Sequence, residues 1–201
     1  MAQKIATVKI LGKRPLLIHC FTNETISLER KVKAGVAGND PDEWKTTYLA
    51  TKEGQLYVEP SYIFSCLRAA AVFTKNGRGS IQSKVSSTLQ ILDDKILFNR
   101  HLPMNINDLY KSTSEDDVYL DVRSVKNPNT KGRNIRYRVA MATGWETEFT
   151  IQWDNTIVSS SQIKQVLEDA GSLVGLADGR SIGFGRFQLI SFEEKAVVQH
   201  A

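Results

Sequence analysis

Hydrophobic and polar positions along the chain follow two periods, and the switches between them divide it into elements. From Ile5 to Leu11, Ala6, Val8 and Ile10 alternate with Ile5, Thr7 and Lys9, the period-two pattern of a half-buried strand. Between Asn23 and Lys52 the pattern dissolves into charges around Gly35, Gly38 and Asn39-Asp40-Pro41-Asp42, which predicts a long mobile loop projecting from the core. Gln55 to Val58 predicts a short strand ending before Pro60. Ser61 to Thr74 then predicts a helix with Ile63, Leu67 and Ala70 on one stripe and Phe64 and Ala71 beside it. A polar region, Asn76 to Lys84, leads into the apolar segment Leu89 to Phe98 and an acidic run at Glu115, Asp116 and Asp117. Val118 to Val125 and Ile135 to Ala142 flank Lys126-Asn127-Pro128-Asn129-Thr130-Lys131-Gly132, a turn-forming composition, so the pair predicts a β-hairpin. Glu146 to Trp153 alternates again. Ser159-Ser160-Ser161 offers caps to a helix carrying Ile163, Val166, Leu167 and Ala170 at i, i+3, i+4 and i+7, and Phe187 to Phe192 predicts the last strand.

Reduced to its core, the order is strand, helix, strand, strand, helix, strand. That is an α+β, ferredoxin-like (RRM-like) βαββαβ plan with a long early loop insertion at 23–52 and a β-hairpin insertion. With 201 residues, 41% of them hydrophobic and 24% charged, the chain suffices for one domain over 1–201, with 193–201 as a flexible tail. Cys20 and Cys66 lie in apolar patterns without paired spacing, which predicts buried free thiols in a reducing compartment rather than a disulfide or a metal site. The run Pro15 to Phe21 is too short to span a bilayer, so the expectation is a cytoplasmic protein with no metal, no cofactor and no membrane partner.

Charge changes the picture more than composition does. A net charge of +4 and a pI near 9.0 favour anionic partners without defining one. The distribution is more specific: Arg123, Lys126, Lys131, Arg133, Arg136 and Arg138 crowd into the hairpin region. On a strand, Arg136 and Arg138 share a face with Asn134, leaving Ile135, Tyr137 and Val139 on the other. Arginine donates bidentate bonds to phosphate, and Tyr137 offers a stacking ring if its face is open. The competing reading is a solvated hairpin balanced by the acidic run. A second anion-binding candidate is Gly175 to Phe187, a stretch with Gly175, Gly179, Gly183, Gly185, Arg180 and Arg186 joining the last helix to the last strand. Glycines there allow main-chain N–H groups to face an anion, or they simply turn a corner. The stretch follows a helix, and it lacks the Gly-Lys-Ser/Thr ending of a nucleotide loop. Arg68 and Lys75, seven apart on the first helix, together with Arg78, Lys13 and Arg14, could extend a phosphate track or belong to ordinary solvated faces.

Two of these patterns resemble the RAMP superfamily, the repeat-associated RNA-binding proteins of CRISPR systems. Leu56-Tyr57-Val58-Glu59-Pro60-Ser61-Tyr62-Ile63-Phe64-Ser65-Cys66-Leu67-Arg68 is similar to that family's strand, proline, small residue and helix ending in Leu-Arg. Gly183-Phe184-Gly185-Arg186-Phe187, at a helix-to-strand junction, is similar to its glycine-rich loop. Where RAMP helices often carry Gly-Ser and Lys-Gly, this chain has Ser61-Tyr62 and Ser65-Cys66. The opening strand followed by Pro15-Leu16-Leu17-Ile18-His19 also resembles small phage proteins. The resemblance implies a scaffold that binds single-stranded RNA or DNA, with self-association or other complex subunits as partners, as in CRISPR effector backbones. It also admits a RAMP-type endoribonuclease, for which His19, Asp40 and Asp42 are the weak catalytic candidates. The remaining alternative is a phage assembly or protein-interaction module without nucleic acid.

Overall fold

A computed structural model describes residues 2–20, 41–126 and 132–195. In chain order the strands and helices are β1 (Gln3–Gly12), β2 (Leu16–Ile18), β3 (Gln55–Val58), α1 (Pro60–Ala70), β4 (Lys75–Asn76), β5 (Gly79–Ser80), α2 (Gln82–Thr88), β6 (Gln90–Ile91), β7 (Ile96–His101), β8 (Val118–Lys126), β9 (Arg133–Met141), β10 (Glu146–Asp154), α3 (Ser160–Asp169) and β11 (Phe187–Lys195). The fold is α+β with antiparallel sheets. The main sheet runs β11-β1-β10-β7-β3, with β6 also paired to β10, and a second sheet runs β2-β9-β8.

Alternation decides which face each strand buries. Ala6, Val8 and Ile10 of β1 and Phe149, Ile151 and Trp153 of β10 point into the core with Ile63, Leu67, Ile163, Val166 and Leu167 of the helices. The opposite face of the main sheet, with Tyr57 and Leu97 on it at the β3–β7 edge, is polar along β1 and β10. Lys9 bridges Glu146 at 2.8 Å there, beside Thr7, Glu148 and Thr150. Pro60 starts α1 at a position where its missing N–H costs nothing. Ser159 and Gln162 close a capping box on α3. After α3 the chain widens into a π turn, Ala170–Val174.

Several boundaries differ from those predicted. α1 stops at Ala70, so Lys75 lies on the small β4–β5 hairpin rather than seven residues along a helix from Arg68. The long polar loop is packed at its end: Glu43–Thr46 forms a 3-10 turn, Trp44 is fully buried in the main core, and the Thr47 carbonyl accepts from the Cys20 N–H at 2.7 Å. A single tryptophan outweighs the charged residues around it, because burying a side chain of that size stabilises by several kcal/mol, roughly. Residues 21–40 lie outside the described set, as do 127–131 of the hairpin turn. Of the predicted tail, residues 193–195 belong to β11, which runs to Lys195, and 196–201 lie outside the described residues.

The second sheet places one face on the main core through Leu16, Ile18, Val118, Val139 and Met141. Its other face carries Leu17, Tyr119 and Ala140, and there Phe184 of the glycine-rich stretch packs over it. Main-chain bonds lace that stretch down: Asp178 N–H donates to Leu17 O, Gly185 N–H to Pro15 O, Leu176 N–H to Gly185 O, and Lys13 N–H to Arg186 O. The close approach at Gly185 is obligatory, since any Cβ would overlap the Leu176 carbonyl and φ is +69°. Gly183, at φ +91°, has open space around its Cα. Gly183→Ala is therefore expected to cost about 1–2 kcal/mol for the left-handed conformation alone, and Gly185→Ala to exceed about 3 kcal/mol because backbone must move as well. Urea unfolding monitored by tryptophan fluorescence ranks the two.

Candidate nucleic-acid interface

The glycine-rich stretch and the hairpin meet through one arginine. Arg138 lies directly opposite Asp121 across the β8–β9 ladder, and both are buried, at 4% and 5% exposure. Its Nη2 donates to Asp121 Oδ2 at 3.2 Å and its Nη1 to Asp178 Oδ2 at 2.8 Å. One guanidinium thus joins the two hairpin strands to the loop. Next to it, Arg123 Nε donates to Asp121 Oδ1 at 2.7 Å, and its guanidinium sits 4.7 Å from the centre of the Phe184 ring. Burial raises the Asp178 pKa, but the Arg138 and Gly179 hydrogen bonds and the charges of Arg138 and His19 outweigh it, leaving the carboxyl below its ordinary value.

Two clefts open on either side of this junction. One, of about 470 Å³, is lined by Arg123, Ser124, Val125 and Arg138 of the hairpin and by 177–182 of the loop. The other, of about 400 Å³, is lined by His19, Tyr62, Arg136 and the shared residues Val125, Arg138, Ala177 and Asp178. Together they form a groove lined by Arg123, Arg136, Arg138 and Arg180 and, among the described residues, by one carboxylate, Asp178; with Asp121 beneath Arg123 and Arg138, four positive groups stand against two negative ones. Arg180 is exposed at the start of the 3-10 turn Arg180–Ile182. Arg136 Nη1 lies 3.5 Å from His19 Nε2. Tyr62 donates to Cys20 Sγ at 3.2 Å, and burial pushes its hydroxyl pKa up. Cys66, on the same helix, donates to Gly175 O at 3.1 Å; burial pushes its thiol up to about 12 despite the pull of Arg180 and Arg186. Both cysteines are free and buried.

The predicted site residues separate accordingly. Arg123, Arg136, Arg138, Gly179 and Arg180 line the groove, and His19 joins them. Lys13 and Arg14 are exposed on the β1–β2 turn, where both N–H groups donate to Arg186 O. Arg186 Nη1 is itself buried without a hydrogen-bond partner. Of the two readings of the glycines, their bonds favour the corner: the N–H groups of Gly175, Gly179, Gly183 and Gly185 donate within the protein, to Ala170 O, Asp178 Oδ1, Arg180 O and Pro15 O. The loop presents side chains. Arg138 reaches solvent hardly at all, being committed to two carboxylates. Tyr137 is half-buried on the sheet's inner face, packed against the main core and on the side away from Arg136 and Arg138. Arg133 is exposed opposite Lys126 at the far end of the hairpin, and Arg68, Lys75 and Arg78 are exposed outside both clefts. Asp42 accepts from Tyr110 and bridges Lys45 at 3.0 Å, away from the groove. Lys131 and Asp40 lie outside the described residues.

The residues that sequence reasoning missed are Asp121, Asp178, Phe184 and Tyr62. Asp121 was within reach of the hairpin register, since opposite charges facing across a ladder are a recurring pair. The described residues contain no cluster of metal-ligating side chains, and no helix among them is long and apolar enough to cross a membrane.

No family model matches the chain, and no curated protein matches it in sequence. Among solved structures it is similar to a chain in the cryo-EM structure of the Type III-B Cmr-beta complex bound to cognate target RNA. The TM-score is 0.47 at 16% identity, over 96% of this chain and 60% of that one. The chain thus spans 60% of the length of that chain.

Removing Arg138 tests the junction. Arg138→Ala leaves buried Asp121 with Arg123 as its remaining arginine partner and takes the arginine from Asp178, and the expected loss is about 3 kcal/mol in urea unfolding. A loss below about 1 kcal/mol would show that the two carboxylates do not depend on it.

Proposed function

We propose that this protein is a non-catalytic, RAMP-like subunit that binds single-stranded nucleic acid, RNA in preference to DNA, along the arginine groove. As a scaffold within a CRISPR-type assembly it would associate with further copies or other subunits. The observation that carries this reading is the groove itself, an accessible set of arginines assembled by two elements distant in sequence and held on a rigid ion-pair floor. Phosphates suit such a surface because guanidinium donors match their oxygens in number and geometry. We read the β1, α1, β7, β10, α3, β11 order, with sheet order β11-β1-β10-β7, as a ferredoxin-like core, and 1–201 as one domain. At the centre of the main sheet's outer face, where RRM-type binding relies on exposed aromatics, β1 and β10 carry the Lys9–Glu146 pair, and Tyr57 at the β3 edge is half-buried with Lys95 over its ring, which favours the groove as the strand's path.

A second reading, RNA cleavage, has one observation behind it, the placement of His19 beside Arg136. Cleavage needs a paired acid and base, and the neighbouring Tyr62 hydroxyl is bonded to Cys20 and shifted away from neutral titration. Fluorescence anisotropy with labelled single-stranded RNA at several salt concentrations tests both readings when strand integrity is checked afterwards. Affinity is expected to fall linearly on a log–log salt plot, with Arg180→Ala weakening binding about three- to tenfold and flattening the slope by about 0.7. Intact RNA, unchanged by His19→Ala, fits the non-catalytic reading. Salt-independent binding, or an Arg180→Ala variant with wild-type affinity and slope, counts against the groove.

A further inference from the structure

We infer that the junction of the two clefts is a nucleobase subsite that selects bases carrying an exocyclic amino group over uracil, with Asp178 as the reading residue. This rests on the groove being the nucleic-acid surface and adds what part of the nucleotide enters it.

Asp178 is the one carboxylate among the described residues that line the clefts, and it lines both. A carboxylate is misplaced for phosphate, which it repels, but it is an acceptor for the hydrogens of a base amino group. Its ionised form is secured, since Arg138 Nη1 donates to Oδ2 and Gly179 N–H to Oδ1 at 2.8 Å each. Each oxygen retains a lone pair beyond these bonds, and the side chain is 46% exposed. Repulsion at the floor and exposed Arg180 at the rim together orient a nucleotide with its phosphate outward and its base inward.

The walls fit a base. Val125 and Ile182 are apolar and exposed, at 40% and 65%, and Ala177 lies between the clefts. Arg123 supplies a planar platform: its guanidinium is fixed against Phe184 and Asp121 yet the side chain remains 47% exposed and lines the cleft. Bases stack on arginine planes as they do on aromatic rings. Each cleft is within the size range of small-ligand pockets. Cytosine directs its N4 amino group at such a carboxylate, whereas uracil presents the O4 carbonyl there and is opposed by it.

The test compares labelled oligocytidine and oligouridine of about 15 nucleotides against the full chain by fluorescence anisotropy in one buffer at neutral pH. Oligocytidine is expected to bind about tenfold tighter or more, the worth of one charge-assisted hydrogen bond. Asp178→Asn, which removes the charge and supplies an N–H for O4, is expected to bring the two within about twofold. Equal affinities for the wild-type protein would overturn the subsite without involving any variant, as would a preference that survives Asp178→Asn. Binding of neither strand would overturn the groove reading and the subsite with it.

Discussion

The arrangement around the groove depends on a buried guanidinium shared by two carboxylates. Arg138 draws Asp121 from the facing strand and Asp178 from a loop forty residues further along the chain. Such a group is costly to bury, and its partners recover that cost only while all three hold their geometry. The consequence is specificity of placement. If the loop drifted from the hairpin, the buried Arg138 guanidinium would lose Asp178 and keep Asp121 alone, so the pair holds Asp178 and the loop main chain beside Arg123. Arg123 extends the same logic outward by bonding Asp121 and resting on Phe184.

Packing reinforces what the ion pairs specify. The second sheet is buried on one face against the main core and capped on the other by Phe184 over Leu17, Tyr119 and Ala140. The glycines make that cap possible by permitting main chain to pass within hydrogen-bonding distance of Pro15 and Leu176. Their role is to let a loop lie flat on a sheet and offer side chains, which is a different use from cradling an anion with the backbone. α1 is tied to the same loop by the Cys66 bond to Gly175 O, so the helix and the hairpin both brace the groove.

Much of the strand and helix framework was legible because it follows from strict periodicity. Gln55–Val58, the hairpin strands, β10 and α3 all fall close to where alternation or helical spacing puts them. The early loop was misjudged at its end because one buried residue, Trp44, overrides a polar neighbourhood that a window average sees as solvated. α1 was overextended because Ala71, Val72 and Phe73 continue the apolar pattern past the point where the helix stops. At the site, the charge cluster was visible but its division was not. Alternation correctly put Arg136 and Arg138 on one face, yet whether an arginine on that face meets solvent or a carboxylate depends on which loop folds over it. That contact between Arg138 and Asp178 is long-range and leaves no local signature. Tyr137 was open to two readings until the sheet's inner face was known to pack on the core.

The most direct measurement of the central claim is photocrosslinking of the protein to single-stranded RNA, followed by mapping of the crosslinked peptides. If the loop and hairpin form one binding groove, crosslinks fall together on the segments 123–125 and 177–184 and disappear from both at high salt. Crosslinks confined to the polar face of the main sheet, or to the acidic segment 108–117, would contradict it.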